Sequence, residues 1–176
     1  MFFDFKQITE SDLDLLYAWL NRPHVAEWWD GRLSFAEVRR RYVPAPDGSS
    51  SLRPYIACLN RTPVGFIQSY VAIVEQASGW WTQETDPGVV GIDQFLADAE
   101  NLGKGIGTVM VVQFAELLFQ DPRVTKIQTD PAPANLRAIR CYEKAGFRKV
   151  GIVDTPDGAA LLMVIERRNG LKRMQV

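Results

Sequence analysis

Residues 89–108 constrain the fold of this chain more than any other stretch, because three kinds of local signal follow one another there. Residues 89–96 form an apolar run that is typical of a buried strand, and a helical pattern begins near residue 105. The glycine-rich turn Gly103-Lys104-Gly105-Ile106-Gly107 lies between them. Alternate glycines let a backbone turn sharply, and amides at a helix N-terminus bind phosphate. The stretch therefore predicts a strand, a phosphate-binding turn and a helix in succession.

The patterns on either side predict one α/β domain over residues 1–168, with a short C-terminal tail over 169–176. Its sheet is mixed and mostly antiparallel, and helices flank it. Apolar alternation and turn signals predict strands over residues 3–8, 55–59, 64–74, 89–96, 124–129, 147–153 and 160–166. Helical spacing and capping residues predict helices after Thr9 and Ser34, over 105–119, and from Asn135 to Lys144. Residues 75–88 remain as a long loop that holds Trp80 and Trp81, and long loops in compact domains are often functional.

Asp93 is the one carboxylate in the apolar run 89–96. A carboxylate inside a central strand is costly unless it is paired. Asp93 therefore either pairs with a buried donor or performs acid–base chemistry beside the phosphate-binding turn.

The charge distribution around this run is strongly asymmetric. From residue 62 to residue 103 the chain has no Lys or Arg but has six carboxylates, Glu75, Glu84, Asp86, Asp93, Asp98 and Glu100. This acidic tract is either a solvated surface or a surface that attracts a cationic ligand. The formal net charge of the whole chain is only −1, so no general basic field exists to attract nucleic acid or anionic lipid.

Several classes of protein are excluded by spacing. The glycines read G-x-G-x-G and match neither a Walker motif nor a dinucleotide-binding fingerprint. A single histidine and two distant cysteines, Cys58 and Cys141, predict neither a metal site nor a disulfide framework. The N-terminal residues lack the basic region of a signal peptide, and no apolar run has the length of a membrane span. We therefore expect a cytoplasmic protein with reduced thiols and no membrane partner.

A second motif follows the glycine turn. The segment from Asn135 to Phe147 reads N-x-x-A-x-x-x-Y-x-x-x-G-F, and together with G-K-G-I-G it resembles the GNAT superfamily of N-acetyltransferases. The resemblance implies the GNAT fold and acetyl-coenzyme A as the acetyl donor, without a metal. It implies that the coenzyme is bound by Gln94, Phe95, Leu96, Gly103, Lys104, Gly105, Ile106, Gly107, Thr108 and Asn135. Leu102 stands where the superfamily usually has Arg or Gln, so one phosphate contact is either lost or taken over by Lys104.

Other segments resemble the aminoglycoside 6′-N-acetyltransferases over nearly the full length. They are Trp19-Leu20-Asn21-Arg22, Glu27-Trp28-Trp29, Gln68-Ser69-Tyr70, Gly79-Trp80-Trp81, Glu84-Thr85-Asp86-Pro87-Gly88, Gly91-Ile92-Asp93-Gln94 and Lys126-Ile127-Gln128-Thr129-Asp130-Pro131. This resemblance implies direct acetyl transfer to the 6′-amine of an aminoglycoside, which confers antibiotic resistance. It implies that Asp93 is the general base and a substrate contact, and that Tyr142 is the general acid. It also implies that Asp130, Tyr70 and Trp81 line the sugar pocket.

Three alternatives remain open at this stage. The acceptor could be another amine or a hydroxylamine of the siderophore type. The chain could also be a non-catalytic regulatory module that binds acyl-coenzyme A. For single residues, Asp130 could be a loop cap and Tyr142 a core residue. The patterns do not determine the oligomeric state.

Overall fold

The structure of this chain is a computed structural model that describes residues 1–29, 33–43 and 50–167. Its strands are β1 (Phe3–Gln7), β2 (Arg53–Leu59), β3 (Thr62–Val71), β4 (Val89–Leu96), β5 (Lys126–Thr129), β6 (Arg148–Thr155) and β7 (Gly158–Glu166). They form one sheet in the order β1-β2-β3-β4-β5-β7-β6. All neighbouring pairs are antiparallel except β4 and β5, which confirms the predicted mixed, mostly antiparallel sheet. The predicted tail, 169–176, lies outside the described residues.

Five α-helices lie within the described residues, and capping side chains mark the start of two of them. They are α1 (Leu13–Leu20), α2 (Pro23–Ala26), α3 (Phe35–Tyr42), α4 (Ile106–Leu118) and α5 (Leu136–Lys144). Ser34 and Glu37 form a capping box at α3, and the Asn135 side chain accepts a hydrogen bond from the Ala138 amide at α5, at 3.1 Å. Three short 3₁₀ segments, Glu10–Asp12, Ala72–Ser78 and Ala99–Asn101, complete the helical structure of the described residues.

Several boundaries differ from the sequence predictions by one to three residues, and two of them lie close to the glycine turn and the loop that follows β3. The predicted strand 64–74 is shorter at its C-terminal end. The strand β3 stops at Val71, and residues Ala72–Ser78 form a 3₁₀ segment. That segment also occupies the first part of the predicted loop 75–88. The predicted helix 105–119 begins at Ile106, because Gly105 is its N-cap and has a left-handed φ of 80°.

Helices cover both faces of the sheet. On one face, α4 and α5 bury a core that includes Ile92 and Ile127 against Met110 and Phe114. On the other face, the layer α1–α3 packs against Ile56, Phe66 and Phe95. Burial of this kind contributes roughly 25 cal/mol for each Å² of apolar surface removed from water.

The α1–α3 layer leaves part of its sheet face for polar side chains. Alternation along β3 places Gln68 and Tyr70 on the same face as Phe66, and alternation along β4 places Asp93 on the same face as Phe95. These polar residues lie at the end of the sheet face that is nearest to Asp130. Asp130 itself directly follows β5. The fold therefore changes from an apolar core to a polar site along two adjacent strands.

None of the helices within the described ranges combines the length and apolar character that crossing a bilayer requires.

Candidate functional site

Two cavities of similar size open beside the end of β4. The first, which we call the acidic cavity, has a volume of about 540 Å³ and is lined by Gln68, Tyr70, Asp93, Asp130 and Tyr142, among others. The second, the glycine-turn groove, has a volume of about 510 Å³ and runs along Phe95, Leu96 and the turn that precedes α4. Trp28, Trp29, Gln94, Asn135 and Ala138 line both. A molecule in one cavity can therefore reach a molecule in the other.

The glycine turn presents free backbone amides at the start of α4. The Val109 amide donates to the Gly105 carbonyl at 3.1 Å, so the amides of residues 106–108 precede the first helical hydrogen bond. Gly103 and Gly105 have φ values of 74° and 80°, and only glycine adopts such angles without strain. Amides and a helix dipole that converge in this way form an anion site.

Most of the residues that the resemblance assigned to coenzyme binding line this groove. They are Gln94, Phe95, Leu96, Gly103, Gly105, Gly107, Thr108 and Asn135. Two assigned residues do not line it. The Ile106 side chain packs against the hydrophobic core instead, and Lys104 lies in the exposed part of the turn.

Helix α5 supplies cations that the sequence reasoning missed. Arg137, Arg140 and Lys144 line the glycine-turn groove, together with His24 from α2. The three α5 residues follow the i, i+3, i+7 spacing that places side chains on one face of a helix, and this spacing could have identified them. They compensate for Leu102, which lines the groove but carries no charge. The groove therefore suits a ligand with several negative charges.

His24 also ties α2 to the end of β4. Its Nε2 donates a hydrogen bond to the Leu96 carbonyl at 3.0 Å. Arg22, just before α2, donates to the neighbouring Ala97 carbonyl at 2.7 Å. The groove wall formed by α2 is thereby held against the strand end.

The acidic cavity draws its carboxylates from four separate segments. Glu75 comes from the 3₁₀ segment after β3, Asp93 from β4, Asp130 from the end of β5, and Asp157 from the turn between β6 and β7. One cation, Arg41 of α3, also lines this cavity among the described residues. The cavity therefore suits a ligand with several positive charges.

Only part of the acidic tract between residues 62 and 103 contributes to this cavity. Glu75 and Asp93 line it, whereas Glu84 pairs with Lys126 at 2.9 Å and Asp86 accepts a hydrogen bond from Thr125 at 2.7 Å. Asp98 forms an ion pair with Arg22. These three carboxylates are therefore engaged with other segments of the protein, and only part of the tract faces the cavity.

Gln68 and Asp93 are direct partners across β3 and β4. The Gln68 Nε2 donates to Asp93 Oδ2 at 2.8 Å, and Gln68 itself is only 5% exposed. Asp93 therefore has a buried donor, and it also faces the cavity. Pairing with a buried donor therefore leaves Asp93 accessible from the cavity.

Burial and mutual repulsion shift the titration of the groups around Asp93. Burial, with added repulsion from Asp93 and Asp157, raises the pKa of Asp130 to about 8. Burial and the Asp93 charge hold the pKa values of Tyr70 and Tyr142 well above their usual range. At neutral pH Tyr142 therefore keeps its phenolic proton.

The aromatic wall of the acidic cavity differs from the predicted one. Trp80 lines the cavity and Trp81 does not, so the placement of Trp81 in the cavity wall is corrected. Trp81 has a left-handed φ of 51°, and its ring lies beside that of Trp80 with the centroids 5.9 Å apart. The Trp81 side chain instead interacts with Tyr70, one of the residues that line the cavity. The other predicted contacts, Tyr70 and Asp130, do line the cavity.

Comparisons with known proteins agree with this geometry. The model of the acetyltransferase (GNAT) domain family matches residues 9–155. The aminoglycoside N(6′)-acetyltransferase type 1 of Klebsiella pneumoniae is 58% identical over 164 residues, which cover 92% of this chain and 81% of that protein. A crystal structure of the aminoglycoside acetyltransferase AAC(6′)-Ib with coenzyme A and kanamycin is 57% identical, with a TM-score of 0.90 over 94% of this chain and 95% of that one. A structure of the same enzyme with paromomycin and acetyl-coenzyme A also has a TM-score of 0.90, at 57% identity over 94% of this chain and 93% of that one.

Proposed function

Because this chain belongs to the acetyltransferase (GNAT) family, we propose that it transfers the acetyl group of acetyl-coenzyme A directly to the 6′-amine of aminoglycoside antibiotics. The observation that carries this proposal is the meeting of two oppositely charged cavities at Gln94 and Asn135. A donor with several phosphates fits the cationic groove, and a polycationic amine fits the acidic cavity. The names of the most similar relatives support the same pair of substrates.

On the donor side, the backbone amides before Val109 hold phosphate, with charge from the α5 cations. The thioester of acetyl-coenzyme A supplies an activated acetyl group. Gln94 and Asn135, which line both cavities, mark where this group meets the acceptor. Holding the two reactants together in this way supplies much of the rate enhancement in acyl transfer.

On the acceptor side, Asp93 binds the amine and receives its proton. An alkyl ammonium has a pKa of roughly 10 and is mostly protonated at neutral pH, so it must lose a proton before it attacks. The amine nitrogen then bonds to the acetyl carbonyl carbon, and the carbon–sulfur bond breaks. Asp93 accepts the proton that the ammonium loses before the attack, and the Tyr142 phenol donates a proton to the departing sulfur. The second proton that the nitrogen loses as the amide forms restores the Tyr142 phenol, so one proton in total is released, from Asp93. A positive group beside Asp130 favours the ionised form of this carboxyl, so Asp130 pairs with a second positive group of the acceptor once that group is bound.

The proposal is tested by following thiol release from acetyl-coenzyme A with matched acceptors. Neomycin and paromomycin differ only by an amine or a hydroxyl at the 6′ position. We expect rapid turnover with neomycin and kanamycin, and little or none with paromomycin. Turnover with lysine or a hydroxylamine alone would instead favour a siderophore-type acceptor, and equal turnover with neomycin and paromomycin would refute the 6′ position.

We further place the protein in the cytoplasm, because its proposed donor is a cytoplasmic metabolite. Cell fractionation with an antibody against the chain tests this placement.

A further inference from the structure

The contact between Gln68 and Asp93 has an orientation that needs an explanation. The Gln68 amide points its nitrogen at Asp93 Oδ2, at 2.8 Å, and leaves its own oxygen buried without a hydrogen-bond partner among the described residues. A buried polar atom without a partner destabilises a fold. The reverse orientation would bring the amide oxygen against a carboxylate oxygen. The observed orientation is therefore favourable only because Asp93 presents an acceptor to the amide.

Asp93 needs such a donor because of what surrounds it. Three further carboxylates line the same cavity: Asp130 just after β5, Asp157 in the β6–β7 turn and Glu75 in the 3₁₀ segment after β3. The Tyr70 and Tyr142 phenols line it from β3 and α5, and the Arg41 guanidinium lines it from α3. Carboxylates that share a cavity repel one another, so one of them tends to take up a proton. A hydrogen bond that favours the ionised form of one member decides which of them is protonated.

The strand register makes Gln68 suited to that role. Gln68 and Asp93 are paired residues of adjacent strands, so the amide reaches the carboxylate without a loop or a flexible segment between them. Gln68 is also buried, so packing holds its amide beside the carboxylate. The donor is consequently in place before any acceptor binds.

We propose that Gln68 is a positioning residue that keeps Asp93 ionised and oriented toward the acceptor amine. Gln68 acts through Asp93 and does not itself receive the proton. This inference deepens the proposed function and rests on it, because it assumes that Asp93 is the base.

The chain offers a matched control for the test. Gln128 on β5 is also a buried glutamine with an unpartnered side-chain atom, Nε2, among the described residues. It is aligned with Gly91 rather than with Asp93, and it does not line the acidic cavity. Gln68→Met and Gln128→Met both replace an amide by an apolar group of similar length. Only the first removes the donor to Asp93.

We expect Gln68→Met to lower kcat with an aminoglycoside by about 10- to 100-fold. The loss of a hydrogen bond to a charged group typically changes an equilibrium constant by that factor. The acidic limb of the pH profile of kcat/KM should move to higher pH, while KM for acetyl-coenzyme A stays constant. Gln128→Met should retain the wild-type profile. Gln68→Glu places an oxygen opposite Asp93 and should move the acidic limb of the pH profile to still higher pH. It serves as the second variant if Gln68→Met binds coenzyme A poorly.

A readout on the free protein separates this inference from the proposed function. The Asp93 carboxyl can be titrated by carbon-13 NMR of aspartate-labelled protein, with its signal assigned from Asp93→Asn. The titration should move to higher pH in Gln68→Met, whatever acceptor the enzyme uses. An unchanged Asp93 titration together with a wild-type pH profile would overturn the role of Gln68. Absence of aminoglycoside turnover in the wild type, with a shifted titration, would overturn the acceptor assignment alone.

Discussion

Gly91 is the position at which the acidic cavity depends most directly on the absence of a side chain. It lies opposite Tyr70 in the pairing of β3 and β4, and the Tyr70 ring occupies the space beside its Cα. A Cβ at residue 91 would stand 2.0 Å from Tyr70 Cζ, 2.3 Å from Cε2 and 2.4 Å from the hydroxyl oxygen. The substitution Gly91→Ala therefore forces the tyrosine ring to move.

The size of the effect follows from these distances. The ring must shift by about 1.5 Å to restore ordinary carbon–carbon contact. Tyr70 is only 9% exposed and lines the acidic cavity, so the ring moves either into packed neighbours or into the cavity itself. Overpacking of this kind costs typically about 1–3 kcal/mol. For a domain of this size, each kcal/mol lowers Tm by about 2–4 °C.

Two measurements check the prediction, with Gly151→Ala as the matched control. Gly151 also lies in a strand, but nothing comes within 4 Å of a Cβ built on it. We expect Gly91→Ala to lower Tm by roughly 2–12 °C and to raise KM for the aminoglycoside, while calorimetry shows unchanged binding of coenzyme A. If Gly91→Ala matches Gly151→Ala in both Tm and acceptor KM, the argument from the Tyr70 ring is refuted.

Three further predictions concern single side chains of the two cavities. Asp93→Asn should lower kcat by about 10²–10⁴-fold, the usual contribution of a general base, and leave coenzyme A binding intact by calorimetry; near-normal kcat would remove Asp93 as the base. His24→Ala removes the hydrogen bond to the Leu96 carbonyl and should weaken coenzyme A binding by roughly 2–10-fold. His24→Gln, which keeps a donor, should restore most of it, and equal affinity in all three proteins would contradict this. The pKa of Asp130 is raised to about 8 in the folded protein. The folded protein therefore holds this proton over a pH range in which the unfolded chain has already lost it. The free energy of unfolding should therefore fall as pH rises from about 4 to about 8. Asp130→Asn should remove this dependence and be the more stable protein at pH 9 in urea titrations, and parallel pH curves for the two proteins would show that Asp130 is not shifted.

Local sequence signals predicted the core of the fold. The predicted strand 89–96 coincides with β4, and the helix that follows begins one residue later than predicted. The strands β6 and β7, which the Thr155–Gly158 turn joins, match the predicted strands 147–153 and 160–166 to within two residues. Such features depend on periodicity and turn chemistry within a few residues, and these can be read without knowing what packs where.

The sequence could not show which carboxylates of the acidic tract face a ligand, because this depends on distant residues. Glu84, Asp86 and Asp98 resemble Asp93 in the sequence, yet each is held by a partner from a different segment. Those partners lie 42, 39 and 76 positions away along the chain. Composition counts carboxylates but does not show which of them remain available to a ligand.

By itself, the sequence determined the order of strands and helices, the phosphate-binding character of the glycine turn, and the choice of Asp93 as the unusual carboxylate. Only the tertiary structure decided that Trp80 rather than Trp81 faces the acidic cavity, that α5 supplies the cations of the groove, and that Gln68 holds Asp93. The physical reason is the range of the interactions. Secondary structure follows from neighbours along the chain, whereas a site is made by strand register and helix packing that bring distant side chains within 3 Å of one another.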